Sequence, residues 1–166
     1  MTDSADAPVR PHPAHPGGSV VPVVGMVGAG QLARMTAQAA IGLGVGFRVL
    51  AGSVTDSAAR VAAGTVVGDY RSLDDLRAFA AGCDVLTFDH EHVPGGHLAA
   101  LERSGARTRP SAAALYFTQD KLAMRQRLAG LGVGCPRFAA VADLAEVEEF
   151  AAGRLAGRAE GGQRRL

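Results

Sequence analysis

The sequence predicts an α/β fold, a parallel sheet with flanking helices, and two features carry that expectation. From Val20 to Pro110, short apolar runs rich in β-branched residues alternate with segments of helical length. That alternation is the signature of strand–helix units, whose crossovers force neighbouring strands to be parallel. The first run also ends in Gly28-Ala29-Gly30, completed by Ala33 to G-x-G-x-x-G/A between a strand and a helix.

Val20, Val21, Val23, Val24, Met26 and Val27 form the first strand, apolar throughout as expected for burial on both faces. A helix is predicted from Gln31 to Leu43, with Leu32, Met35, Ala39 and Leu43 near one face, and Gly44 and Gly46 end it. Phe47 to Leu50 reads as the second strand. A short helix from Ala58 to Ala63 and a third strand, Thr65 to Val67, follow. Ser72 and Asp75 have capping-box spacing for a helix through Phe79. Asp84 to Phe88 is the fourth strand, His97 to Arg103 a helix, and Thr108 to Pro110 a short extended piece. Right-handed crossovers gather the loops that follow the strands along one edge.

After Pro110 the pattern changes. Ser111 can cap a helix, Thr118 to Leu131 reads as another, and Gly132-Val133-Gly134-Cys135-Pro136 breaks it. A strand is expected over Phe138 to Val141 and a last helix from Asp143 through Ala152. Residues 153–166 are rich in Gly, Arg and Ala without apolar period. The expected organisation is a disordered tail over 1–19, a first domain over 20–110, and over 111–166 linker helices and the opening of a second domain. Leu128, Leu131, Phe138 and Phe150 would pack on strands that this chain does not supply.

Composition excludes several classes. Of 166 residues, 48% are hydrophobic and 20% charged, enough apolar content for a core and against general disorder. A net charge of +1 leaves no electrostatic footprint for nucleic acid. The two cysteines, Cys83 and Cys135, form neither a disulfide framework nor a zinc-finger spacing, which fits a reducing, cytoplasmic setting. No apolar run is long enough to span a bilayer, and the N-terminal stretch carries Asp3 and Asp6 in place of an apolar signal.

The glycine loop allows a tight turn, close backbone approach and a helix N-terminus open to an anion. A mononucleotide phosphate fits it, and so does simple strand-to-helix packing. A dinucleotide, NAD(P), would require an acid at the end of the second strand. That end reads Leu50-Ala51-Gly52-Ser53, with no acid before Asp56. A metal-binding module is the other alternative. Asp89-His90-Glu91-His92, with His97 nearby, is dense in ligand types, and on an extended segment His90 and His92 point to the same side.

Longer runs narrow the choice. The loop continues as Gln31-Leu32-Ala33-Arg34-Met35. Thr87-Phe88-Asp89-His90-Glu91-His92-Val93-Pro94 is similar to T-x-E-x-E-N-V-P. Arg109-Pro110-Ser111-Ala112-Ala113-Ala114-Leu115 is similar to P-S-x-x-A-L, and Gln119-Asp120-Lys121-Leu122 to Q-D-[RK]-L. In this order the runs resemble the 5-(carboxyamino)imidazole ribonucleotide synthases of the ATP-grasp superfamily, over about Val23 to Ala152. The resemblance implies a Rossmann-like pre-ATP-grasp domain followed by the start of an ATP-grasp domain. It implies an ATP-dependent carbon–nitrogen ligase of purine biosynthesis, in which ATP and Mg2+ activate bicarbonate as carboxyphosphate. The exocyclic amine of 5-aminoimidazole ribonucleotide then takes up the carboxyl group, with release of ADP and phosphate. It also implies a homodimer, and a substrate site that includes Gly28, Gly30, Gln31, Leu32, Asp89 and Glu91. The chain departs from the pattern at His90 and His92, where an apolar or aromatic residue and an asparagine are usual. The family's L-K-x-x-x-G-G-Y-D-G segment has no counterpart in Ala156 to Leu166. Catalytic residues are therefore not expected in this chain, and it is expected to be inactive alone.

Overall fold

A computed structural model describes residues 21–153, so the expectations for the N-terminal tail and for 154–166 lie outside the described residues. The chain divides into two compact units, the first running through Leu115 and the second from Tyr116.

The first unit is built on four parallel strands, β1 (Val23–Val27), β2 (Gly46–Ala51), β3 (Gly64–Val67) and β4 (Val85–Phe88), in the order β3-β2-β1-β4. Val27 pairs with Leu50 on one side and with Phe88 on the other, so β1 is central and its ends are level with both neighbours. Thr108 adds a single parallel bridge to Leu86 beyond β4. Helix α1 (Gln31–Leu43) follows β1, α2 (Leu73–Ala80) follows β3, α3 (Gly95–Arg103) follows β4, and α4 (Ala112–Gln119) begins in this unit.

Alternate strand residues feed opposite faces of the sheet. Met26 and Val49 pack with Ala33, Ala37 and Ala40 of α1, while Val27, Leu50 and Leu86 pack with Leu76 and Phe79 of α2 and Leu98 and Leu101 of α3. The result is a helix–sheet–helix sandwich, the predicted α/β class.

The buried face of α1 is not the expected one. Ala33, Ala37 and Ala40 are buried, whereas Leu32, Met35, Ile41 and Leu43 are each more than half exposed. Small side chains let the helix lie close on the strands beside the glycine loop, and proximity outweighs the apolar area of the larger residues. Gly44 ends α1 in a left-handed turn (φ 66°), with Val45 N–H donating to Ala40 O and Gly44 N–H to Ile41 O, both at 3.2 Å.

The expected helix over Ala58 to Ala63 is only a turn. Ala58 O accepts from Val61 N–H and Ala62 N–H, while Ala58 N–H reaches across to Ala29 O at 2.9 Å. One turn tied to a neighbouring loop is too short to propagate. Ser72 caps α2 as predicted, its hydroxyl accepting from Asp75 N–H at 3.2 Å. The Asp75 carboxylate does not reciprocate; it accepts from Asp69 N–H at 2.8 Å and pins the β3–α2 turn.

Cys83 packs in the core, as its position before β4 suggests, and donates to Phe79 O at 3.3 Å. Burial pushes its thiol up to about 11, against the pull of Arg48 and with a further push from Asp84. The thiol therefore stays protonated near neutral pH.

Glu102 ties three segments of this unit. Its Oε1 accepts from the hydroxyl of Thr108, which is buried, and from Ala112 N–H at 2.8 Å at the start of α4. The Thr108 hydrogen bond first, and the Ala112 hydrogen bond next, hold its carboxyl below the usual glutamate range. A depressed folded-state pKa contributes stability that is complete above the unfolded-state value. That stability is lost as pH falls through the folded one. Glu102→Ala is expected to lower stability by about 2 kcal/mol, because a buried hydroxyl and a helix cap lose their acceptor. Urea unfolding at neutral pH and on the acid side of the usual glutamate range checks it: the difference from wild type should shrink in acid.

In the second unit the predicted helix from Thr118 to Leu131 is displaced. α4 continues to Gln119, Asp120 interrupts, and α5 runs Lys121–Gly130 with the Asp120 carboxylate accepting from Ala123 N–H at 2.9 Å. An N-cap residue is extended (here φ −108°, ψ 100°), so the cap itself makes the break. Phe138 to Val141 forms no strand, and the described residues of this unit contain none with which it could pair. Asp143 caps α6 (Leu144–Ala151) through Glu146 N–H at 2.9 Å, as predicted. Leu131 is exposed; Leu128, Phe138 and Phe150 are half-buried, and the Arg137 guanidinium lies 4.9 Å over the Phe150 ring.

Candidate functional site

The strand order dictates where a site can form. The chain moves outward from β1 to β2 to β3, then returns to the other side of β1 for β4. The loops after β1 and β4 therefore diverge, and such a switch point opens a crevice at the carboxyl ends of the strands. A cleft of about 630 Å3 lies there. Its walls come from four loops: Gly28 to Gly30 after β1, Gly52, Asp56 and Ser57 after β2, Gly68 to Arg71 after β3, and Asp89 and His90 after β4.

Asp89 sits at the centre of this arrangement. Its N–H donates to Val27 O at 2.9 Å, extending the β1–β4 ladder by one residue. Its carboxylate accepts from Gly30 N–H at 2.6 Å and from Ala33 N–H at 3.0 Å. Two amides of the α1 N-terminus, expected to be open to a ligand anion, are thus engaged by the protein itself. The amides of Gln31 and Leu32 belong to the same first turn and have no acceptor within the helix. A side chain on Gly28 would stand 2.7 Å from Asp89 Cβ, and one on Gly30 2.6 Å from Asp89 Oδ2; Gly28 also has φ +104°.

The other acids are engaged as well. Asp56 accepts from Ser53 N–H at 3.1 Å, and Asp69 from Arg71 N–H at 2.8 Å. Arg71 is the one permanently charged cation among the cleft-lining residues, and its guanidinium stands 4.9 Å over the Tyr70 ring. Tyr70 meets the His90 imidazole edge to face, with centroids 4.7 Å apart. His92 N–H donates to His90 Nδ1 at 3.2 Å. Burial first, and the neighbouring His92 second, hold His90 below the ordinary histidine value, so it is neutral at pH 7. The two imidazoles face each other with centroids 5.3 Å apart, on one side as predicted. Among the described residues, however, no three His, Cys, Asp or Glu side chains converge on a point where a metal could sit.

Of the residues proposed from sequence, Gly28, Gly30 and Asp89 line the cleft; Gln31, Leu32 and Glu91 do not. Gln31 instead accepts from the Ser57 hydroxyl at 3.2 Å, and Leu32 is 62% exposed. The sequence pattern assigned no site residue to the β2 loop, weighed only for a dinucleotide's ribose acid, or to the β3 loop. Their signal was present: Gly52 and Gly68 each directly follow a strand, as Gly28 does. Asp56, too far along the chain for a dinucleotide's ribose acid, is folded back into the cleft by the turn at Ser53.

A parallel sheet with a cleft at its switch point defines a Rossmann-like α/β domain. Residues 21–119 match the ribonucleotide synthetase preATP-grasp domain, and the chain belongs to that family. It is 54% identical over 133 residues to N5-carboxyaminoimidazole ribonucleotide synthase of Mycobacterium tuberculosis, covering 80% of this chain and 31% of that protein. Among solved structures, the N5-carboxyaminoimidazole ribonucleotide synthetase of Thermus thermophilus aligns with TM-score 0.68 and 35% identity, covering 78% of this chain and 36% of that one. The Aspergillus clavatus N5-carboxyaminoimidazole synthase, in complex with ADP and 5-aminoimidazole ribonucleotide, aligns with TM-score 0.72 and 27% identity over 83% of this chain and 37% of that one. The chain thus spans about a third of the length of the curated relatives it matches.

Proposed function

We propose that this chain is the N-terminal, substrate-binding part of an ATP-dependent ligase that carboxylates 5-aminoimidazole ribonucleotide with bicarbonate. The carrying observation is a cleft at the switch point of a domain 54% identical to the M. tuberculosis synthase. The A. clavatus relative, of the same fold, holds the ribonucleotide and ADP. In this reading the ribonucleotide lies across the strand ends against the Gly28–Gly30 backbone, and Arg71 neutralises its phosphate. Gln31, Leu32 and Glu91 flank the cleft and complete the substrate site. ATP phosphorylation would activate bicarbonate for attack by the substrate amine. Among the described residues no three His, Cys, Asp or Glu side chains converge to hold Mg2+, which would enter with ATP. The segment 111–166 leads toward the ATP-binding part, and the full enzyme is a cytoplasmic homodimer. Among the described residues no helix is long and apolar enough to cross a membrane.

Calorimetric titration of the 166-residue chain with 5-aminoimidazole ribonucleotide, with NAD as control, tests this. Saturable binding of the ribonucleotide alone is expected, weakened in Glu91→Ala. Arg71→Ala should weaken it by about ten- to a hundredfold, the loss of a charge-assisted phosphate contact. Binding of NAD alone would sink the proposal.

A further inference from the structure

We infer that Asp89 is the resident anion of the glycine loop, so that the cleft turns ligand phosphates away from the Gly30 and Ala33 amides and toward Arg71. The Asp89 carboxylate takes the N–H groups of Gly30 and Ala33, two of those a phosphate at this helix N-terminus would use. Gly28 and Gly30 leave room for Asp89, since a side chain on either would stand within 2.7 Å of it. The loop is therefore shaped around the protein's own carboxylate. The Asp89 backbone, and with it Cβ, is held in place beside the loop by the β1–β4 ladder through Val27 O at 2.9 Å. A phosphate on the same amides would meet a like charge at contact distance, an arrangement that disfavours binding.

The cleft's cation stands elsewhere. Arg71 follows β3, and β3 is three strand spacings from β4, roughly 14 Å across the sheet. A ribonucleotide lying between them presents hydroxyls or an amine to the outer face of Asp89 and its phosphate to Arg71. This orientation rests on the ribonucleotide reading above; the exclusion of phosphate from the loop does not. A dinucleotide pyrophosphate, which needs the loop amides, is rejected.

Amide proton NMR of the full chain, titrated with inorganic phosphate, tests this directly. In wild type the Gly30 and Ala33 resonances should stay unmoved. In Asp89→Ala they should shift saturably, with apparent phosphate affinity about tenfold or more above wild type. Asp89→Asn, which keeps the side-chain volume without the charge, should show a smaller gain and serves if Asp89→Ala does not fold. A merely structural role would lower stability in both variants and leave the phosphate response unchanged. Phosphate shifting Gly30 and Ala33 in wild type, or no gain in a folded variant, overturns the inference. The wild-type arm decides even if both variants unfold. Because the probe is phosphate, a failed ribonucleotide titration would leave this result standing, and the reverse holds.

Discussion

Gly28→Ala is expected to destabilise the first unit by about 3 kcal/mol, the net of a left-handed backbone penalty, a steric clash and a small gain from a stiffer unfolded chain. Gly28 has φ +104°, and the new methyl would lie 2.7 Å from Asp89 Cβ, an atom held by the sheet ladder. Neither neighbour can yield cheaply. Gly30→Ala separates the two causes. Gly30 has an ordinary φ of −78°, and its methyl would meet only the movable Asp89 carboxylate, 2.6 Å away. Its expected cost is about 1 kcal/mol, the value of a displaced helix cap. Urea unfolding followed by circular dichroism compares them; equal losses would mean that backbone strain at Gly28 is not the cause.

Phe79→Ala should cost about 3–5 kcal/mol, a large share of the 5–15 kcal/mol typical of a domain. Phe79 is 1% exposed and packs in the α2–α3 side of the core. Its ring edge faces Gly25 of β1, and the Arg48 guanidinium stands 5.9 Å above it while donating to Gly82 O at 3.1 Å. The cavity cannot collapse easily, because the strand below and the Arg48 strap above are both fixed. Thermal unfolding would check it. A shift comparable to that of an exposed substitution such as Val67→Ala would show that the site relaxes; Val67 is 55% exposed.

The amino-acid pattern was a good guide where a property is local. Strand positions follow from β-branched apolar runs, because a strand buried on both faces has no polar alternate. The caps at Ser72 and Asp143 were legible because an N-cap is satisfied within three residues. The break at Asp120 obeys the same rule but lay inside a run of good helix formers, which masked it. The strand expected at Phe138 failed for the opposite reason: strand formation depends on a partner, and apolar character alone does not supply one.

What the sequence by itself determined is the α/β class, the positions of the four strands, the glycine loop and the family resemblance, all carried by residues close together in the chain. Tertiary structure alone decided which face of α1 is buried. Close approach to the sheet selects Ala33, Ala37 and Ala40 over larger neighbours, and that selection depends on a surface built from other segments. It also decided who occupies the glycine loop. Asp89 is 59 residues from Gly30 in sequence, and only the return of β4 to the free side of β1 brings its carboxylate onto amides that the local pattern leaves open to a ligand.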